Sequence, residues 1–237
     1  MFQRSALKIV FQITKKRIEN EIWSLVNVKD LTVIDFGIGE STERLVDLGA
    51  KVIAVDKDFE KLKKYKNLGI SLVNCDVTNL PFNRRIADLA IFYFALHEIN
   101  PLLHKQVVST AHKISSRIMV VEPSPDGCSA YRRYSEIWRN AMHSIGKFED
   151  YQTLSYWKKL IESCNFKILV LKRVKQNTEI PFEELEKIFQ TTIEKWKKLR
   201  VEDEYINKLH DLLKNIRENG MRWSDLTVII GESNVAT

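Results

Sequence analysis

Three acidic residues, each closing an apolar run of strand length, are the first candidates for chemistry in this chain. The runs are Val33-Ile34-Asp35-Phe36-Gly37-Ile38-Gly39-Glu40, Val52-Ile53-Ala54-Val55-Asp56 and Leu72-Val73-Asn74-Cys75-Asp76. In an open parallel sheet, ligands bind just beyond the carboxyl ends of the strands, so the three acids are expected to face one crevice. Gly37 and Gly39 let the backbone approach a ligand and turn sharply into a helix starting near Ser41. Such a crevice suits a ligand with a sugar and a base.

Gly37-x-Gly39 alone is a weak signal, because a dinucleotide fingerprint places a third glycine where this chain has Thr42. Asp56 does stand at the distance where a ribose-binding acid is expected. Taken together, the order acid-x-Gly-x-Gly, a second strand-end acid, then a third acid before Val77-Thr78-Asn79-Leu80-Pro81-Phe82 resembles the class I S-adenosylmethionine-dependent methyltransferases. The resemblance covers residues 30 to 175 and a last strand near 226 to 230; Ser41 departs from it, where many members carry glycine.

The resemblance implies roles and a fold. Gly37 and Gly39 would flank the methionine part of S-adenosylmethionine, with Asp35 holding the loop and reaching the amino group through water. Asp56 would accept from the two ribose hydroxyls, and Asp76 from the adenine amine with the Val77 backbone nearby. The implied architecture is α/β: a doubly wound, Rossmann-like, seven-stranded and mostly parallel sheet with an antiparallel last strand. An N-terminal helix and a helical hairpin before the last strand are added to it.

For the acceptor, His97 in Phe94-Ala95-Leu96-His97-Glu98 follows the fourth strand and is the best-placed base, since imidazole titrates near neutral pH. The reading as a pocket-wall residue that orders its loop is the more favoured of the two. No Asn/Asp-Pro-Pro-Tyr/Phe signature stands there, which argues against amino methylation of nucleobases, and no Pro-Cys pair supports C5-pyrimidine chemistry. A second region, Glu122-Pro123-Ser124-Pro125-Asp126-Gly127 followed by Tyr131, Arg132, Arg133, Tyr134, Trp138 and Arg139, reads either as a substrate cap or as a core-facing aromatic helix with solvated arginines. No metal site is expected.

The elements that must position these residues alternate as a doubly wound sheet requires. Strands are expected at Ala87 to Phe94, Arg117 to Glu122, Phe166 to Val174 and Leu226 to Ile230, and helices at Asn100 to Ile114 and Tyr151 to Cys164. Leu7, Val10, Phe11, Ile18, Ile22 and Leu25 recur at helical spacing, which predicts an amphipathic first helix rather than a transit peptide. Between Phe182 and Ile216 two further amphipathic helices repeat at three- and four-residue intervals, with Asn219-Gly220 as a stop. They read as a stabilising appendage, or as a lid or dimerisation arm.

At 237 residues, 44% hydrophobic and 29% charged, the chain fits one large globular domain. Its expected parts are an N-terminal helix at 1–28, a cofactor-binding core at 29–175, a helical insertion at 181–220 and the last strand with its tail at 221–237. No apolar run approaches the ~20 residues that span a bilayer. Cys75, Cys128 and Cys164 have no paired spacing, so a reducing, cytoplasmic setting is expected. The formal charge of +6 is spread along the chain, so nucleic acid is not indicated as a partner. A small-molecule acceptor is expected, and homodimerisation is compatible with the sequence. Two rival readings stay open: an NAD-dependent oxidoreductase, and a non-catalytic methyltransferase-like binding subunit.

Overall fold

The computed structural model describes the backbone of residues 2–234 and the side chains from Leu7 onward. The Arg4 side chain and the tail beyond residue 234 lie outside the described residues. Seven strands form one sheet: β1 (Thr32–Phe36), β2 (Lys51–Asp56), β3 (Ser71–Asn74), β4 (Ala87–Tyr93), β5 (Ser115–Pro123), β6 (Phe166–Val174) and β7 (Leu226–Ser233). Their spatial order is β3-β2-β1-β4-β5-β7-β6, mostly parallel with the last strand antiparallel. The doubly wound α/β fold expected from the sequence is the one observed.

The helices are α1 (Phe2–Trp23), α2 (Glu40–Asp47), α3 (Phe59–Lys63), α4 (His104–Ile114), α5 (Ser129–Ser144), α6 (Leu154–Ser163), α7 (Phe182–Leu199) and α8 (Asp203–Asn219). No helix among the described residues is long and apolar enough to cross a membrane. Contacts group the chain into two compact units, each with its own core. The sheet unit comprises residues 24–122, 154–172 and 227–234; the helical unit comprises 2–23, 123–153 and 173–226.

In the sheet unit, the continuous apolar run of β4 is buried on both faces, with Leu89, Ala90, Ile91 and Phe92 all inaccessible to water. Phe92 stacks on Phe36 of the neighbouring β1, ring centroids 4.6 Å apart. The order β2-β1-β4 reverses direction of strand addition at β1, the place where an open α/β sheet leaves a crevice at its carboxyl edge.

Local differences from the expected elements have local causes. The helix expected from Asn100 begins as a 3-10 turn at Pro101–Leu103, because Asn100 Oδ1 caps the Leu102 N–H at 3.0 Å and proline supplies no donor. Strand β3 stops at Asn74, whose side-chain amide donates to the Asp56 and Lys57 carbonyls, each at 3.0 Å. Asp76 therefore lies two residues past the strand. In α1, Ile18 and Ile22 are buried, whereas Val10 is 50% exposed. At 100° per residue Val10 falls about 60° off the Leu7–Phe11–Ile18–Ile22 stripe.

In the helical unit, α5, α7 and α8 share one core: Tyr131, Tyr134 and Ile137 pack with Leu185, Phe189, Ile193 and Trp196, and with Ile206, Leu209, Leu212 and Ile216. Tyr134 lies 5.3 Å from Phe189, and Trp138 lies 5.5 Å from Trp196, centroid to centroid. The hairpin turns at Arg200, which adopts φ +59°. Trp196→Ala should cost about 3–5 kcal/mol by leaving a cavity in this core. Arg200→Gly should add about 1 kcal/mol by removing a left-handed strain. Urea denaturation of each variant measures both, and opposite signs are expected.

Candidate cofactor and acceptor site

The loop between β1 and α2 is built around two glycines that do different work. Gly37 has φ +91°, where a side chain is strained, and its N–H donates to the Val55 carbonyl at 2.9 Å. Gly39 is extended, and a Cβ placed on it would meet nothing within 4 Å. The chain itself does not require glycine at 39; the open space beside it is where a ligand can approach the backbone. This is an observation that fits the expected cofactor.

Thr42 stands where a third glycine was missing, and its hydroxyl caps the start of α2 instead. Its Oγ1 accepts from the Gly39 N–H at 3.0 Å and donates to Asp35 Oδ2 at 2.6 Å; Ser41 Oγ donates to the same oxygen at 3.2 Å. Asp35 is fully buried, and its Oδ1 has no hydrogen-bond partner. Desolvation pushes its pKa from 3.8 up to about 6, against the two hydroxyl donors and Lys61, which pull it down. Asp35 thus holds the loop from beneath. Its register partner is Ala54, so it sits two residues back from the sheet edge that Asp56 occupies.

Asp56 ends β2 and is held by the loop it faces. Oδ2 accepts from the Ile38 N–H at 3.1 Å and from Lys61 Nζ at 3.2 Å, and Oδ1 accepts from the Asp58 N–H at 2.9 Å. Asp76 is exposed and caps a 3-10 turn at Val77–Asn79, Oδ1 accepting from the Thr78 N–H at 2.9 Å and its hydroxyl at 2.7 Å. Those donors hold its carboxyl below the usual carboxylate range. Because Asp56 pairs with Asn74, Asp56 and Asp76 share the carboxyl edge of adjacent strands, with the half-buried Val77 beside them.

After β4, Phe94 takes φ +54° with its ring 40% exposed, an uncommon conformation for a bulky residue. Its N–H donates to the Val121 carbonyl at 2.9 Å. His97 follows in a 3-10 turn at Leu96–Glu98 and is buried. Its Nδ1 lies 2.5 Å from Glu122 Oε2, while Glu122 Oε1 accepts from the Ala95 and Leu96 N–H groups at 3.0 and 2.7 Å. His104 Nε2 lies 2.9 Å from the Leu96 carbonyl and 3.1 Å from that of Ile99, fastening the same turn from the helix side.

The structure therefore brings Gly37, Gly39, Asp56, Asp76 and Val77 to one edge, sets Asp35 below the loop, and puts His97 in the turn after β4. Sequence reading missed Thr42, Lys61 and His104, and gave Glu122 no role of its own. A signal for Glu122 was present: Ile118 to Val121 is a fourth apolar run closed by an acid. Of the second candidate region, Tyr131 and Tyr134 face the helical core, and Arg132, Arg133 and Arg139 are exposed. The core-facing reading of that helix is the observed one.

Residues 34–130 match the family model described as a methyltransferase domain. That match spans less than half of the chain and marks this segment as similar to a methyltransferase domain. The chain is similar in fold to a SAM-dependent methyltransferase from Archaeoglobus fulgidus, at 16% identity and TM-score 0.57, covering 94% of each chain. It is also similar to a mycolic acid cyclopropane synthase complexed with S-adenosylhomocysteine (SAH) and CTAB, at 11% identity and TM-score 0.60, covering 92% of this chain and 83% of that one. A third, the 4+2 cyclase SpnF, has 12% identity and TM-score 0.65, covering 95% and 82%. No curated protein matches the sequence. These likenesses show the fold alone.

Asp35 makes the domain's stability depend on pH in an unusual direction. Its pKa is higher folded than unfolded, so the cost of its charge is absent below about pH 4 and fully present above about pH 6. Relative to Asp35→Asn, the wild type should lose about 3 kcal/mol between those limits, the size of a two-unit shift. Urea denaturation of both proteins at about pH 4 and about pH 8 gives the difference; parallel behaviour would show that Asp35 ionises freely.

Proposed function

We propose that the chain is an S-adenosylmethionine-dependent methyltransferase acting on a small molecule. The observation that carries this reading is the open backbone at Gly39, flanked by the edge carboxylates of Asp56 and Asp76, within a segment similar to a methyltransferase domain. Gly37 to Gly39 would lie beside the methionine part of the cofactor. Asp56 would accept from the ribose hydroxyls, being already fixed by three internal donors and retaining one further lone pair, on Oδ1. Asp76 would offer its second oxygen to the adenine amine, with the Val77 N–H beside it.

When bound, the cofactor supplies an electrophilic methyl group on a sulfonium. The chain's own contribution is positioning: a loop locked by Thr42 and Asp35, and a turn after β4 locked by Glu122 and His104. His97 is the group there that could take a proton from the acceptor. The dinucleotide alternative is less well supported, because Thr42 occupies the place of the third glycine and Asp76 has no counterpart role in it. A fold shared with a cyclase means that the reaction must be measured.

Calorimetric titration should show S-adenosylmethionine and SAH binding with micromolar dissociation constants, about 8 kcal/mol, and NAD far more weakly. Tight NAD binding without SAH binding overturns the reading. Asp56→Asn should weaken SAH by about 2–3 kcal/mol, the scale of hydrogen bonds to a charged group. A modest loss of apo stability should accompany it, since Ile38, Asp58 and Lys61 share the same carboxylate.

A further inference from the structure

We infer that a cleft in the helical unit binds a small zwitterion of the free amino acid class. The carboxylate of that molecule meets Arg222, and its ammonium group meets Asp225. The inference is independent of the methyltransferase reading, because every residue that lines the cleft belongs to the helical unit.

The cleft has a volume of about 230 Å³. Three segments line it: 124–128 from the end of β5 onward, 173–177 at the end of β6, and 222–225 just before β7. Sites for drug-sized ligands run to about 300–1,000 Å³, so this one suits a smaller metabolite.

The backbone around the cleft is fixed from several sides. The Ser124 N–H donates to the Asp225 carbonyl at 2.9 Å, and Gln176 Nε2 donates to the Ser224 carbonyl at 2.8 Å. The Gln176 N–H donates to Asp225 Oδ1 at 3.1 Å. Trp223 is half-buried, and its ring stands edge-on to those of Tyr131 and Tyr134, at centroid distances of 6.4 and 5.9 Å. The 222–225 segment is thus anchored at three successive residues, and the charges it carries start from defined points.

Two of the four charged groups in the cleft already match each other: Arg173 Nη2 lies 3.8 Å from Asp126 Oδ2. Arg222 and Asp225 are only three residues apart and form no such pair. The Arg222 guanidinium has no hydrogen bond or ion pair with any described residue, and Asp225 engages only Oδ1, through Gln176. A cation and a carboxylate oxygen that share one small cleft without pairing leave room for a molecule bearing both complementary charges. A simple anion would be drawn to Arg222 and repelled by Asp225, and a simple cation would meet the reverse. The lining charges sum to zero, as those of a zwitterion do. The arginine fork holds a carboxylate through two N–H donors, and a carboxylate oxygen accepts from an ammonium group. The Trp223 indole offers an apolar surface to the rest of the molecule.

Saturation-transfer NMR of the full chain, with SAH in excess to fill the cofactor edge, tests the common L-amino acids one at a time. Methionine is left out because it forms part of the expected cofactor. At least one amino acid is expected to bind with a dissociation constant of about 1 mM or tighter. Its N-acetyl derivative lacks the ammonium group and its decarboxylated amine lacks the carboxylate; each is expected to bind about tenfold more weakly, the scale of a charged hydrogen bond. Arg222→Gln is expected to weaken the amino acid about tenfold and leave the amine unaffected. Asp225→Asn keeps an oxygen for the Gln176 N–H, and is expected to weaken the amino acid to the same degree while leaving the N-acetyl derivative unaffected. Arg222→Gln removes no internal side-chain bond, so it decides the matter even should Asp225→Asn fail to fold. No binding by any amino acid at about 10 mM overturns the proposal. So does equal binding of an analogue lacking either charge, or an amino acid affinity unchanged in Arg222→Gln.

Discussion

The buried carboxylate of Asp35 ties the first turn of α2 to β1, and the carboxyl edge of the sheet is assembled from that junction. A carboxylate with no water contact is costly, and its pKa of about 6 records the cost. What offsets it is the pair of hydroxyls from Ser41 and Thr42, which also fixes where the helix begins. Thr42 passes the constraint on to the Gly39 N–H, and Asp56 takes the Ile38 N–H from the other side. The loop is thereby held at three consecutive levels before any ligand arrives.

Four strand-end acids serve this edge, and burial sorts them into two kinds. Asp35 and Glu122 are wholly buried and engage the chain's own hydroxyls, backbone donors and imidazole. Asp56 and Asp76 lie further out, each keeping acceptor capacity beyond its internal bonds. The same residue types thus divide into those that shape the site and those that can meet a ligand. The division follows from depth along the strands, two residues apart for Asp35 and Asp56.

The helical unit shows how a pattern can be read correctly in outline and yet leave its purpose open. The α7–α8 hairpin shares its core with α5 through Tyr131, Tyr134 and Ile137, so it is a principal part of that core and not a surface attachment. Tyr131, Tyr134 and Trp138 recur at helical spacing because they pack, which leaves the neighbouring arginines to solvent.

Continuous apolar runs and period-3.6 patterns in the chain determined the sheet, the flanking helices and the hairpin, because apolar patterning is a local property that burial makes obligatory. The acids near the strand ends and the two glycines likewise marked the carboxyl edge of the sheet. Only the tertiary structure decided what each acid does, since Asp35, Asp56 and Asp76 look alike in sequence and differ by depth and partner. Thr42 could not be understood from its position alone: its hydroxyl gains meaning from Asp35, seven residues away and beneath it. His97 and Glu122 are separated by 25 residues, and their contact exists because β4 and β5 pair in parallel register, Tyr93 against Val121. A hydrogen bond between residues so far apart depends on strand register, and register is set by the packing of the whole sheet.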